Sequence, residues 1–171
     1  MKKYAVIVAG GSGLRMGTPV PKQFLLLRGK PVLWYSLTAF LNAFKDLEII
    51  LVLPQQHLQT GHEIIRTTHD PDRIWITVGG ETRFHSVQNG LDHIHHHSIV
   101  FVHDGVRCLL SPGLVRRCYD MAMEKGNAIP SIRAVDTIRI ETVGGNEQVD
   151  REKVHIIQTP QTFYSDIIKA A

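Results

Sequence analysis

Apolar residues in this chain fall into short unbroken runs that alternate with longer segments of helical spacing. Tyr4 to Ala9 is uniformly apolar, the pattern of a central parallel strand covered on both faces. Pro31 opens a segment with Leu33, Leu37, Phe40, Leu41 and Phe44 at helical spacing. Glu48 to Leu53 reads as a second strand ended by Pro54, followed by a polar helix over His57 to Thr67. Asp70-Pro71-Asp72 makes a turn, Ile74 to Val78 a third strand, and Gly79-Gly80 breaks it. Phe84, Val87, Leu91 and Ile94 mark another helix, and Ile99 to Val102 a fourth strand. Ser111 as N-cap and Pro112 at the first helical position start a helix whose expected apolar face is Leu114, Cys118, Met121 and Ala122.

This alternation predicts an α/β domain with a mostly parallel sheet. Parallel strands bring their carboxyl ends to one edge, where ligands bind. The stretch 9–23, Gly79-Gly80 and His103-Asp104 are therefore expected on a common rim. The pattern changes after Ile129. Arg133 to Thr142 and Val154 to Thr159 read as strands flanking a polar stretch, Val143 to Lys153, that contains Gly144-Gly145. A β-arm projecting from the sheet is expected here, at about 133–153. A last helix is expected over Ser165 to Ala171, and no internal repeat or linker divides the 171 residues, so one domain is expected.

The densest chemistry lies between the first strand and the first helix, in AGGSGLRMGTPVPKQ from Ala9 to Gln23. Gly10, Gly11, Gly13 and Gly17 allow sharp turns and close approach to a ligand. Exposed backbone N–H groups in such a loop form a concave site for phosphate oxygens, and Arg15 and Lys22 add two positive charges. Two familiar phosphate loops fail on spacing. Lys22 follows Pro21 and precedes Gln23, so the P-loop pattern is absent. Position 16 is Met where a dinucleotide fingerprint needs glycine, which argues against a nicotinamide-dependent oxidoreductase. A plain glycine-rich turn would explain the glycines but give Arg15 and Lys22 no role. A loop wrapped around a polyphosphate uses all of them.

Composition narrows the partners. A net charge of +3, with ten neutral histidines, suits an anionic small molecule and is too weak and scattered for nucleic acid. Cys108 and Cys118 have no metal-type spacing and read as reduced thiols of a cytoplasmic protein. The apolar run after Lys2-Lys3 is too short for a signal peptide, and nothing approaches membrane-spanning length.

Ala-Gly-Gly-x-Gly-x-Arg-Met-Gly followed by Pro-Lys-Gln resembles the signature loop of the sugar-phosphate cytidylyltransferases. The resemblance is closest to the 2-C-methyl-D-erythritol 4-phosphate cytidylyltransferase family, with the ribitol-5-phosphate cytidylyltransferases as near relatives, and runs from Lys3 to about Phe163. It implies a three-layer, Rossmann-like nucleotidyltransferase fold and transfer of CMP from CTP to a sugar-alcohol phosphate. It implies Arg15 and Lys22 as catalytic residues and Ala9, Gly10, Gly11 and Gly13 as nucleotide contacts. The block from Gly79 to Val87 resembles the family's base-recognition segment, which implies Gly80 and Ser86 as cytidine contacts and leaves Arg83 structural or close to phosphate. Val102-His103-Asp104-Gly105 ends a strand with an acidic residue, well placed to hold Mg²⁺ between triphosphate oxygens. His-Asp-x-x-Arg matches a family block and implies Asp104 near metal and nucleotide, and Arg107 on the substrate phosphate. Where the family usually has proline after that arginine, this chain has Cys108.

Thr137, Arg151 and Thr159 fall on family positions for the sugar-phosphate acceptor, and the guanidinium fork suits phosphate. The family exchanges its arm between two subunits, which implies a homodimer with shared sites. Relatives continue for several dozen residues beyond Ala171, adding a helix and a site lysine, so the domain is expected to be incomplete at this end. His93, His95, His96 and His97 are adjacent in a way that suits a water-facing helix terminus better than a metal site. Three alternatives stay open: a ribitol 5-phosphate acceptor, an oxidoreductase on the same architecture, and a nucleotide-binding dimer without turnover.

Overall fold

In chain order the elements are β1 (Lys2–Val8), the short hairpin β2 (Leu26–Leu27) and β3 (Lys30–Pro31), α1 (Val32–Ala43), β4 (Leu47–Leu53), α2 (Leu58–Arg66), β5 (Ile74–Val78), α3 (Arg83–Leu91), β6 (Ser98–Asp104), α4 (Pro112–Lys125), β7 (Asn127–Ala128), β8 (Ser131–Arg133), β9 (Ile138–Thr142), β10 (Gly145–Val149), β11 (His155–Ile157), β12 (Gln161–Tyr164) and α5 (Ser165–Ala170). This computed structural model describes residues 1–11 and 20–171. Six strands form one sheet in the order β5-β4-β1-β6-β12-β7. The first four are parallel, and β12 runs antiparallel between β6 and β7. The chain steps outward from β1 to β4 and β5, then crosses back to β6 on the other side of β1. The crevice between the carboxyl ends of β1 and β6 is thus a topological switch point.

β1 shows why both faces must be covered. Ala5, Ile7 and Ala9 join a core with Leu33, Leu37 and Phe40 of α1, Ile64 and Ile65 of α2, and Val115, Cys118 and Ala122 of α4. Tyr4, Val6 and Val8 point the other way, into a core with Leu91, Ile94, Val100 and Val102 that Ile168 of α5 also meets. Period-2 alternation on a strand with no polar face therefore yields helix, sheet and helix layers. Pro31 precedes α1, and the Ser111 hydroxyl caps α4 by accepting from Leu114 N–H, as the sequence predicts.

Two predicted helix faces are rotated. In α4 the buried stripe is Val115, Cys118 and Ala122, while Met121 is 48% exposed. In α3 Phe84 is 64% exposed, and the buried residues are Ser86, Gly90 and Leu91. The reason is Gly90: a Cβ there would lie 2.5 Å from Val6 Cγ1 and 3.2 Å from Val52 Cγ2. The glycine lets α3 lie close on the sheet, and that contact sets the helix rotation.

The arm differs from its predicted form. It contains two separate antiparallel ladders, β8 with β11 and β9 with β10, outside the main sheet. Gly145 to Val149, expected to be part of a polar connection, is strand β10. It carries no apolar alternation because no face of it is buried. The predicted strand from Val154 to Thr159 is the shorter β11, and the next strand, β12, joins the main sheet instead.

Gly90→Ala is expected to destabilise the protein by about 1–3 kcal/mol, the usual range for overpacking a filled core. Chemical denaturation checks it, and unchanged stability would mean that α3 is not seated by this contact.

Candidate active site at the sheet rim

Three segments meet at the carboxyl end of the parallel strands, and backbone pairing beyond the strands fixes them. Val8 is in register with both Val52 and Asp104. Past the strand ends, Ala9 N–H donates to Val52 O at 3.0 Å, Gly105 N–H to Val8 O at 2.9 Å, and Gly79 N–H to Leu53 O at 2.8 Å. Among the described residues, Ala9, Gly79 and Gly105 thus share the common rim predicted from the strand pattern.

The first segment leaves β1. Gly10 and Gly11 are exposed, and a Cβ on either would meet no described residue within 4 Å. Ala9 was expected to contact nucleotide, but it is 3% exposed, its N–H is held by Val52 and its carbonyl accepts from Gln23 Nε2 at 2.8 Å. It ties the end of β1 to the turn that carries Gln23. Gly13 and Arg15 lie outside the described residues. Lys22 begins a 3-10 turn, Lys22–Phe24, and its side chain is exposed and makes no ion pair with any described residue.

The second segment is the turn between β5 and α3. Thr82 caps α3, its hydroxyl accepting from His85 N–H at 3.2 Å. Gly80 N–H donates to the buried Ser86 Oγ at 3.1 Å. A Cβ on Gly80 would come within 2.3 Å of His85 Cβ, so only glycine closes this turn. Gly80 and Ser86, six residues apart, are one structural unit.

The third segment follows β6. Asp104 sits in a clasp of two arginines. Arg83 Nε and Nη2 donate to Oδ1 at 3.1 and 3.0 Å, and Arg107 Nε donates to Oδ2 at 2.9 Å. Burial alone would raise the Asp104 carboxyl, but the Arg83 charge and the hydrogen bonds from Arg107 and Arg83 outweigh it and hold the group below its ordinary value. Arg107 Nη1 also donates to Gln158 Oε1 at 2.6 Å. Cys108 in place of proline therefore does not leave Arg107 loose. Spacing gave no signal for the Arg83 half of the clasp, because Arg83 reaches Asp104 at the end of β6 from the separate helix α3. Gln158 lies within the predicted strand Val154 to Thr159 but had no role assigned from sequence.

The clasp bears on metal binding. Both Asp104 oxygens are engaged by guanidinium groups, and no group of three or more His, Cys, Asp or Glu gathers to hold a metal among the described residues. Oδ2 accepts only one of these bonds, so a Mg²⁺ ion held mainly by triphosphate oxygens and water would still find one carboxylate oxygen here.

The remaining expected acceptor residues separate. Thr137 and Arg151 line one cavity of about 380 Å³ on the arm with Gln148, Val149, Asp150 and Glu152, and no rim residue lines it. Thr159 is buried, and its hydroxyl lies 2.9 Å from Nδ1 of His103, a ring with no solvent exposure. Among the histidines after α3, His93 meets Thr77 and His97 meets Asp166.

Burial pushes His103 down to about 4, against the opposing pull of the Asp104 carboxylate. The unfolded chain takes a proton on this residue below about 6.5, whereas the folded one does not until about 4. Its contribution to stability is thus complete above 6.5 and is lost as pH falls towards 4. In a His103→Gln variant the fall in stability between neutral pH and pH 4.5 should be shallower, by up to about 3 kcal/mol at about 1.4 kcal/mol per pKa unit. Denaturation at the two pH values measures it, and parallel curves for the two proteins would refute it.

With this geometry in view, comparison with known proteins is specific. The family model IspD, 2-C-methyl-D-erythritol 4-phosphate cytidylyltransferase, matches residues 4–171. A 2-C-methyl-D-erythritol 4-phosphate cytidylyltransferase of Bacteroides thetaiotaomicron is 43% identical over 171 residues, covering 100% of this chain and 78% of that protein. One of the same name from Phocaeicola vulgatus is 44% identical with the same coverage. The crystal structure of 4-diphosphocytidyl-2C-methyl-D-erythritol synthase from Anaerococcus prevotii superposes with a TM-score of 0.84 at 29% identity, over 99% of this chain and 72% of that one. The α/β fold, the rim and these matches agree, and the chain belongs to the 2-C-methyl-D-erythritol 4-phosphate cytidylyltransferase family of nucleotidyltransferases.

Proposed function

We propose that this chain transfers CMP from CTP to 2-C-methyl-D-erythritol 4-phosphate at the β1/β6 rim, releasing pyrophosphate. The observation that carries the assignment is the convergence of the Lys22 turn, the Gly80–Ser86 unit and the Asp104–Arg107 turn at the switch point of the sheet, in a chain of this family. An acceptor phosphate oxygen attacks the α-phosphorus of CTP in line. The new P–O bond forms as the bond from the α-phosphorus to the α,β-bridging oxygen breaks, and that electron pair leaves with pyrophosphate. No side-chain nucleophile is needed, so catalysis rests on positioning and charge stabilisation. Arg15 and Lys22 meet charge that grows on the α-phosphate and the leaving group. Gly10, Gly11 and Gly13 offer backbone amides to the triphosphate, and Gly80 and Ser86 receive the cytosine. Mg²⁺ in this reading arrives with the triphosphate, whose oxygens are its ligands.

The acceptor site in this reading needs two subunits. Arg107 lies on the rim while Thr137 and Arg151 share a cavity on the arm, so an arm from a partner would bring the two sets together. The arm exposes Ile132, Val135, Ile140, Val143, Ile156 and Ile157, and isolated two-stranded ladders are marginal in water. A homodimer covers that surface. We place the protein in the cytoplasm, with no nucleic-acid or membrane partner. Cys108 and Cys118 are free, and no helix among the described residues is long and apolar enough to cross a membrane.

Pyrophosphate release is expected with CTP and 2-C-methyl-D-erythritol 4-phosphate and to be much slower with ribitol 5-phosphate. The reverse order would move the enzyme to the related acceptor. Lys22→Ala is expected to lower kcat by about 10²–10³, as loss of one preorganised charge donor does elsewhere, with a much smaller change in CTP affinity. A kcat within about threefold of the parent would make Lys22 a binding residue only. Light scattering at tens of micromolar protein should give a dimer mass, and a monomer would remove the shared-site reading.

A further inference from the structure

A lysine on a rim can meet a transferring phosphate only if its turn is held rigidly to the strand that carries the phosphate loop. The neighbour of Lys22 supplies that hold. Gln23 is 1% exposed, unusual for glutamine. Its Nε2 donates to the Ala9 carbonyl at 2.8 Å across fourteen positions of chain. Ala9 is itself pinned to β4 through its N–H and Val52 O at 3.0 Å. On the other side, Phe24 N–H donates to Pro21 O at 2.9 Å and Leu25 N–H to Lys22 O at 3.2 Å, closing the 3-10 turn. Phe24 packs on the main core with its ring edge-on to His57, centroids 5.0 Å apart. One continuous set of contacts therefore runs from β4 through Ala9 and Gln23 to the turn that presents Lys22.

We infer that Gln23 is a positioning residue for Lys22: its buried amide fixes the Lys22 turn against the end of β1 and so aims the ammonium group at the phosphate being transferred. The inference rests on the proposed role of Lys22. The residue type suits the task. A methionine or leucine would fill the volume but leave the Ala9 carbonyl without its donor. A glutamate would set a buried charge and an acceptor against that carbonyl, and a lysine would bury an unpaired cation. A neutral amide donates without adding charge beneath the site. It also resists small displacements, because breaking its bond would strand buried polar groups on both partners.

The test uses the full chain and three variants: Lys22→Ala, Gln23→Met and the two combined. Gln23→Met keeps length and volume and removes the donor. Steady-state kinetics with CTP and the methylerythritol phosphate acceptor, normalised to folded protein, should show kcat for Gln23→Met lowered by about 10- to 10²-fold, the range for a misplaced catalytic group. The KM for CTP should stay within about threefold. The loss should vanish in the Lys22→Ala background, since the two residues act as one unit. A purely structural glutamine would instead lower the melting temperature and slow both backgrounds by the same factor, and that result overturns the inference. Gln23→Asn, whose shorter amide falls short of Ala9, guards against a misfolded methionine variant and should show the same kcat-specific loss. Parental kcat in both substitutions also overturns it. Lys22→Ala alone reports on the underlying reading, so a harmless Lys22→Ala and an additive Gln23→Met are distinguishable failures.

Discussion

The parallel pairing of β1 with β4 on one side and β6 on the other is the constraint on which everything else depends. Tyr4 through Ala9 are all buried, so the strand has no face to give to water. It is stable only between two layers of helices, and those helices must arrive by right-handed crossovers that return the chain to the same edge. This sends the carboxyl ends of β1, β4, β5 and β6 to one rim. Burial ends at Ala9 and exposure begins at Gly10, which is where an apolar strand gives way to groups able to meet a ligand.

The rim is held from below by buried polar side chains at the ends of β1 and β6. Gln23 bonds the carbonyl of Ala9, Ser36 of α1 donates to the carbonyl of Gly105 at 2.9 Å, and His103 meets the Thr159 hydroxyl where the chain returns from the arm. Each net bond is worth only about 1 kcal/mol, but each leaves a buried group unpaired if broken, at about 1–3 kcal/mol. Such contacts favour one arrangement over near alternatives more than they add stability. That suits loops whose geometry has to survive the binding of a highly charged ligand.

Electrostatics at the rim is already organised without ligand. Asp104 is three-quarters buried between Arg83 and Arg107, so a single carboxylate restrains two cations that would otherwise repel. The arrangement links α3, which carries the Gly80–Ser86 unit, to Gln158 at the root of the arm. The directions of both guanidinium groups are thereby set in advance, and preorganisation is what makes such groups effective.

The order of the parallel strands and their helices, and the rim they form, were legible in the sequence. Each is written in local pattern: an apolar run with no polar face, a Gly-Gly break, a serine before a proline. Helix rotation was not, because Phe84 and Met121 are as apolar as their buried neighbours and only the approach of Gly90 to Val6 decides which side of α3 faces the sheet. Strand β10 was hidden, since a ribbon with no buried face needs no alternation. The partners of Asp104, Ala9 and Thr159 were hidden as well. Residue type said that a carboxylate, a small apolar residue and a hydroxyl stood at the strand ends. That Arg83 reaches Asp104 across twenty-one positions, Gln23 reaches Ala9 across fourteen and Thr159 meets His103 across fifty-six follows from how the layers pack. Sequence spacing carries no record of such distances, because the chain between them folds away and returns.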